Sequence, residues 1–68
     1  MWKKILITFP NESYPVEALI DIEKLRFNKI FKNEYFGDTI FCWYGDIYVN
    51  LNSKNLDPET LSIIIGNK

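Results

Sequence analysis

The chain has no histidine, one cysteine and one arginine among its 68 residues. Without histidine the commonest general base and metal ligand is missing, and with it every Ser-His or Cys-His nucleophile arrangement. A single cysteine excludes an internal disulfide, a cysteine-based zinc cluster and a Cys-x-x-Cys redox pair. The three glycines, Gly37, Gly45 and Gly66, are too scattered to form a phosphate-cradling loop. No apolar run approaches the roughly 20 residues of a membrane span. The apolar stretch before Pro10 is too short for a secretory leader. These absences predict a cytoplasmic, non-enzymatic protein with no cofactor, no metal site and no membrane partner.

Eight Lys plus Arg against nine Asp plus Glu leave a net charge of −1, so no bulk field recruits nucleic acid. Hydrophobic residues at 47% and aromatics at 16% suit a packed globule over a disordered segment. A chain this short forms one domain, residues 1–68, and buries about 60% of its unfolded surface. Seven of the eight basic residues are lysine, and isoleucine and asparagine occur ten and seven times. That bias is typical of an AT-rich genome and is compatible with a phage or another mobile element as source.

What is present centres on residues 39–51, two apolar runs flanking Gly45-Asp46. Glycine at the first central position suits a two-residue type II′ turn, so the stretch reads as a β-hairpin. A tight turn sets Tyr44 opposite Ile47, Trp43 opposite Tyr48, Cys42 opposite Val49, Phe41 opposite Asn50 and Ile40 opposite Leu51. Alternation then puts Ile40, Cys42, Tyr44, Ile47, Val49 and Leu51 on a core face and Phe41, Trp43, Tyr48 and Asn50 on the other.

Residues 2–9 read as a strand, with Ile5, Ile7 and Phe9 on one face and Trp2, Lys4, Leu6 and Thr8 on the other. Residues 10–15 form a loop by their breaker residues. From Pro15 a helical stripe of Val16, Leu19, Ile20, Phe27, Ile30 and Phe31 predicts one long helix, interrupted by Glu23. A rival reading ends that helix near Lys24 and makes residues 26–32 a strand. Residues 33–38 connect to the hairpin through the Gly37-Asp38 turn pair, with Tyr35 and Phe36 folding back on the core. Asp57-Pro58-Glu59 is a helix start, with Asp57 as cap and Leu56 placed as a staple toward Leu61. The order β-α-β-β-α predicts a two-layer α+β domain: a three-stranded sheet with both helices on one face. Strand 39–44 is the better central strand, but strand 2–9 could lie beside it or beside strand 47–52.

With strand 2–9 beside strand 39–44, the outer face gathers Trp2, Leu6, Phe41, Trp43 and Tyr48. A solvated face should be polar there, so these five residues are the candidate partner-binding site. The expected function is a small protein-interaction domain that docks this face on a larger protein, as an inhibitor or modulator, or on itself as a homo-oligomer. A single-stranded nucleic-acid platform using the same aromatics is the alternative.

Overall fold

Period-two alternation is realised over more of the chain than the helical stripe suggested. The computed structural model describes every residue from Met1 to Lys68. Five strands form: β1 (Trp2–Ile7), β2 (Val16–Asp21), β3 (Leu25–Phe31), β4 (Thr39–Tyr44) and β5 (Ile47–Asn52). One helix, α1 (Pro58–Gly66), follows. β1 and β2 make an antiparallel ribbon, while β3, β4 and β5 make an antiparallel sheet with β4 at its centre. Reciprocal backbone hydrogen bonds between Thr8 and Asn50, at 2.8 and 3.1 Å, join β1 to β5. The spatial order is therefore β2-β1-β5-β4-β3, with the first strand beside residues 47–52.

The α+β class stands, but the arrangement of three strands under two helices does not. Residues 15–31 hold two strands joined by a 3₁₀ turn, Ile22–Lys24. A helix would bury Leu19 and Phe31, which are 61% and 67% exposed. Strand alternation instead points Val16, Ala18 and Ile20 inward, and the short turn adds buried Ile22 and Leu25. Asp21 stabilises that turn, its carboxylate accepting from the Glu23 backbone N–H at 3.3 Å. The rival strand over 26–32 corresponds to β3.

Ten apolar side chains from β1 to β5, the 22–24 turn and α1 form one buried cluster. It includes Ile5, Ile7, Ile22, Leu25, Ile40, Cys42 and Ile64. The last helix begins as its residues dictate: the Asp57 carboxylate accepts from the Thr60 N–H at 2.7 Å, with Pro58 in the first turn. Lys3 donates to Asp57 at 2.9 Å and to the Thr60 hydroxyl at 3.0 Å, tying the start of α1 to β1. At its far end Asn67 donates through Nδ2 to the Ile22 carbonyl and accepts from the Phe27 N–H. Its backbone carbonyl thus occupies the edge of β3, and the helix bridges the sheet and the ribbon.

Candidate functional site

The hairpin register places the aromatic residues. Tyr44 pairs with Ile47, Trp43 with Tyr48, Cys42 with Val49 and Phe41 with Asn50. Gly45 has φ +66°, and no non-glycine residue has positive φ, as a type II′ turn requires. Cys42 is fully buried on the inner side, where burial pushes its thiol pKa up to about 11. The outer side carries a contiguous ring cluster. Tyr48 lies 4.7 Å from Trp43, tilted by 53°, and 5.8 Å from Phe41, stacked within 14°.

Residues of β3 complete this face. Arg26 pairs with Trp43 and Lys29 with Phe41. The register slips between Phe27 and Lys29, which extrudes Asn28 as a bulge. Strict alternation would have sent Lys29 into the core; the slip sends it outward, its ammonium 5.3 Å from the Phe41 ring centre. Ile30 takes the inward place. Asn28 accepts from the Tyr48 hydroxyl at 2.9 Å and fixes that ring. Arg26, Lys29, Phe31, Thr39, Phe41, Trp43, Tyr48, Asn50 and Asn52 share this side, with two cations and no carboxylate among them. Trp43 is 43% exposed, whereas Phe41 and Tyr48 are half-buried against their neighbours.

Of the five residues anticipated, Phe41, Trp43 and Tyr48 come together. Trp2 and Leu6 lie on β1, on the outer side of the ribbon. Leu6 lines a crevice of about 240 Å³ between β1 and β5, with Thr8, Pro15, Asn50 and Asn52. β3 takes the place beside β4 that strand 2–9 was expected to fill, and the bridge of Thr8 to Asn50 puts Leu6 on the same side as Asn50 and Asn52, beyond β5 from the ring cluster.

The 33–38 loop borders the other end of the face. Tyr35 and Phe36 do not fold back on the core; they are 78% and 77% exposed. Their backbone is held in place nonetheless. Asn33 Oδ1 accepts from both their N–H groups at 2.9 Å, Lys54 donates to the Tyr35 carbonyl at 2.8 Å, and Asn52 donates to the Phe36 carbonyl at 3.0 Å. Asp38 accepts from the Asn33 N–H and from Lys32, and these hydrogen bonds hold its carboxyl below the usual carboxylate pKa. Gly37 at φ +90° closes the turn where a Cβ would meet the Asn52 side chain. A hydrogen-bond network commits this backbone, leaving both rings in solvent.

Sequence reasoning missed Arg26, Asn28, Lys29, Tyr35 and Phe36. A usable signal existed in β3, where strict alternation sets Lys29 between Phe27 and Phe31 on one face. Unbroken alternation from Phe27 would turn that lysine into the core, which marks a slip, and a slip is what occurs. No helix is long and apolar enough to cross a membrane. Comparison with family models, curated proteins and solved structures returned no match for this chain.

Proposed function

We propose that this is a small non-enzymatic interaction domain that docks the outer face of β3, β4 and β5 on a larger protein. The observation that carries this reading is the ring cluster of Phe41, Tyr48 and Trp43, uncovered by any other element and flanked by Arg26 and Lys29. Aromatic and arginine side chains on a preformed surface are the usual anchors of protein interfaces. The charge on the face selects the partner. Stacked on its own copy, the face would set cations against cations with no carboxylate on it to answer them. A partner offering acidic side chains around an apolar patch fits better. A domain of this size acts by occupying a surface, which suits an inhibitor or modulator of a larger protein, in keeping with the compositional hint of a mobile element.

The two cations beside stacking rings also favour a second reading, a single-stranded nucleic-acid platform. Two cations neutralise few phosphates, and the net charge of −1 adds no attraction, so binding would be weak at physiological salt. Capture on immobilised protein separates the readings, with the double variant Trp43→Ser, Tyr48→Ser as control. A polypeptide retained by the unaltered protein and lost with the variant supports docking. Nuclease-sensitive material with the same dependence supports the second reading. Equal retention by both proteins rules out the face.

A further inference from the structure

β1 and β5 are joined by a single bridge, and beyond it the two strand edges part. The Ile22 N–H bonds to the Met1 carbonyl, so odd-numbered residues of β1 turn their main-chain groups toward β2 and even-numbered ones toward β5. The reciprocal bonds of Thr8 and Asn50 agree with this. Leu6 and Asn52 are the next pair in that register, and their N–H and C=O groups face the same seam. They form no bridge. The crevice of about 240 Å³ opens here.

Its lining offers hydrogen-bonding groups and no charged side chain. Thr8, Thr39, Asn50 and Asn55 line it, and their side chains make no hydrogen bond within the chain. The Asn52 carboxamide, in contrast, is committed to the Phe36 carbonyl and the Lys54 N–H. Leu6 and Pro15 supply an apolar wall.

We infer that this crevice receives an asparagine or glutamine side chain of the partner protein. The source of that side chain rests on the docking reading: Asn50 stands directly across from Phe41 and so joins the crevice to the ring cluster. The lining selects the group. An ammonium or carboxylate would give up its water with no opposite charge to meet. A purely apolar side chain would leave the strand edges and the free amides unanswered. A carboxamide is planar and holds an acceptor beside its donors. A strand-edge residue presents its N–H and C=O side by side, so one carboxamide meets both. Its remaining N–H and lone pair then reach Asn50 or Asn55. At about 30 Å³ per water, the crevice holds about eight waters, room enough for a carboxamide and its methylene stem.

Amide proton–nitrogen correlation spectra of the full chain, titrated with N-acetylglutamine methylamide, test this. Binding with a Kd on the order of 10 mM should shift the amide signals of Leu6, Thr8, Asn52 and Asn55 above all others. N-acetylglutamate methylamide, of the same shape but charged at pH 7, should bind about tenfold more weakly. Asn50→Ala and Asn55→Ala leave the core intact and should each weaken the glutamine probe by about threefold to tenfold, one hydrogen bond lost. The same spectra report whether each variant is folded. No localised shift up to about 100 mM overturns the inference, as does equal binding of the glutamate probe. Adenosine also sets a donor beside an acceptor on its base edge. Tighter binding of adenosine than of the glutamine probe would overturn the assignment to a protein side chain and favour the nucleic-acid reading. The titration needs no partner protein, so its failure leaves docking standing. A partner retained equally by Trp43→Ser, Tyr48→Ser removes the docking face without altering the crevice.

Discussion

The molecule has two aromatic outer faces, and they differ in how the rings are held and in what charges stand beside them. On β3, β4 and β5 the rings of Phe41, Tyr48 and Trp43 pack on one another, and Asn28 fixes Tyr48 through its hydroxyl. Arg26 and Lys29 are the only charged residues there. On the ribbon Trp2 lies opposite Asp21, Lys4 opposite Leu19 and Leu6 opposite Glu17, so apolar and charged side chains alternate across the face. The first face is preorganised and of one sign; it suits a different molecule of opposite sign. The second is of both signs: Lys4 stands diagonal to Glu17 and Asp21 of its own ribbon, and the Met1 ammonium pairs with Asp21 at 3.2 Å. Aromatic exposure alone does not tell the two apart. The charges at neighbouring register positions do.

The comparison holds only if both faces lie outside the core, and stability measurements sharpen that point. Ile40 is fully buried and adjacent in sequence to Phe41. Ile40→Ala should cost about 2–5 kcal/mol in a denaturant titration. Leu19→Ala on the ribbon face should fall within about 0.5–1 kcal/mol of the unaltered chain. Similar losses at both positions would mean that the ribbon face is packed. Gly37→Ala comes next in size. Its left-handed backbone and the crowding by Asn52 predict a loss of about 1–3 kcal/mol, with the 33–38 loop the first region to lose amide protection.

The inner side of the ribbon makes a pH-dependent link that the outer faces do not. The Lys3 hydrogen bond, then those from Thr60, hold the Asp57 carboxyl well below the usual range. A carboxyl whose folded-state pKa is depressed stabilises fully above its unfolded value of about 3.9. That stabilisation is lost as pH falls through the folded value. Melting temperature should therefore fall below about pH 4, and Asp57→Asn should lower it at pH 7 while flattening the acid decline. An unchanged acid decline in the variant would place the linkage at other carboxyls, such as Asp38. A smaller and purely local test concerns Cys42. With its thiol pushed up to about 11 and fully buried, it should resist a thiol reagent in native protein at pH 8 and react only in denaturant. Rapid native labelling would reverse the two sides of the hairpin.

Much of this geometry was legible in the chain. Gly45-Asp46 sets the hairpin register because glycine takes positive φ without a Cβ penalty. Asp57-Pro58 starts α1 because the cap and the missing proline N–H both suit a first turn. Residues 15–31 were misread because two interruptions hide their alternation: the 22–24 turn and the bulge at Asn28. Each shifts the apolar positions by a residue, and the sum imitates a 3.6-residue stripe. Glu23, within that stripe, was the sign of a break. The place of β1 beside β5 rests on a single bridge, Thr8 with Asn50, which no local pattern encodes. That misplaced strand is why Trp2 and Leu6 were grouped with the hairpin aromatics. Tyr35 and Phe36 were expected inside on hydrophobicity alone, whereas polar contacts from Asn33, Asn52 and Lys54 set their backbone outward.

The central claim is that Trp43 and Tyr48 form a docking surface and not part of the core, and denaturant unfolding of Trp43→Ser, Tyr48→Ser tests it most directly. Losing two cross-strand ring contacts and one hydroxyl hydrogen bond should cost about 1–3 kcal/mol. The variant should then unfold cooperatively at a lower midpoint, keep the strand signature of the unaltered chain, and no longer retain its partner. Were these rings core, truncation would cost about 3–5 kcal/mol each. A domain this small would not survive that loss. A variant already unfolded without denaturant would contradict the account.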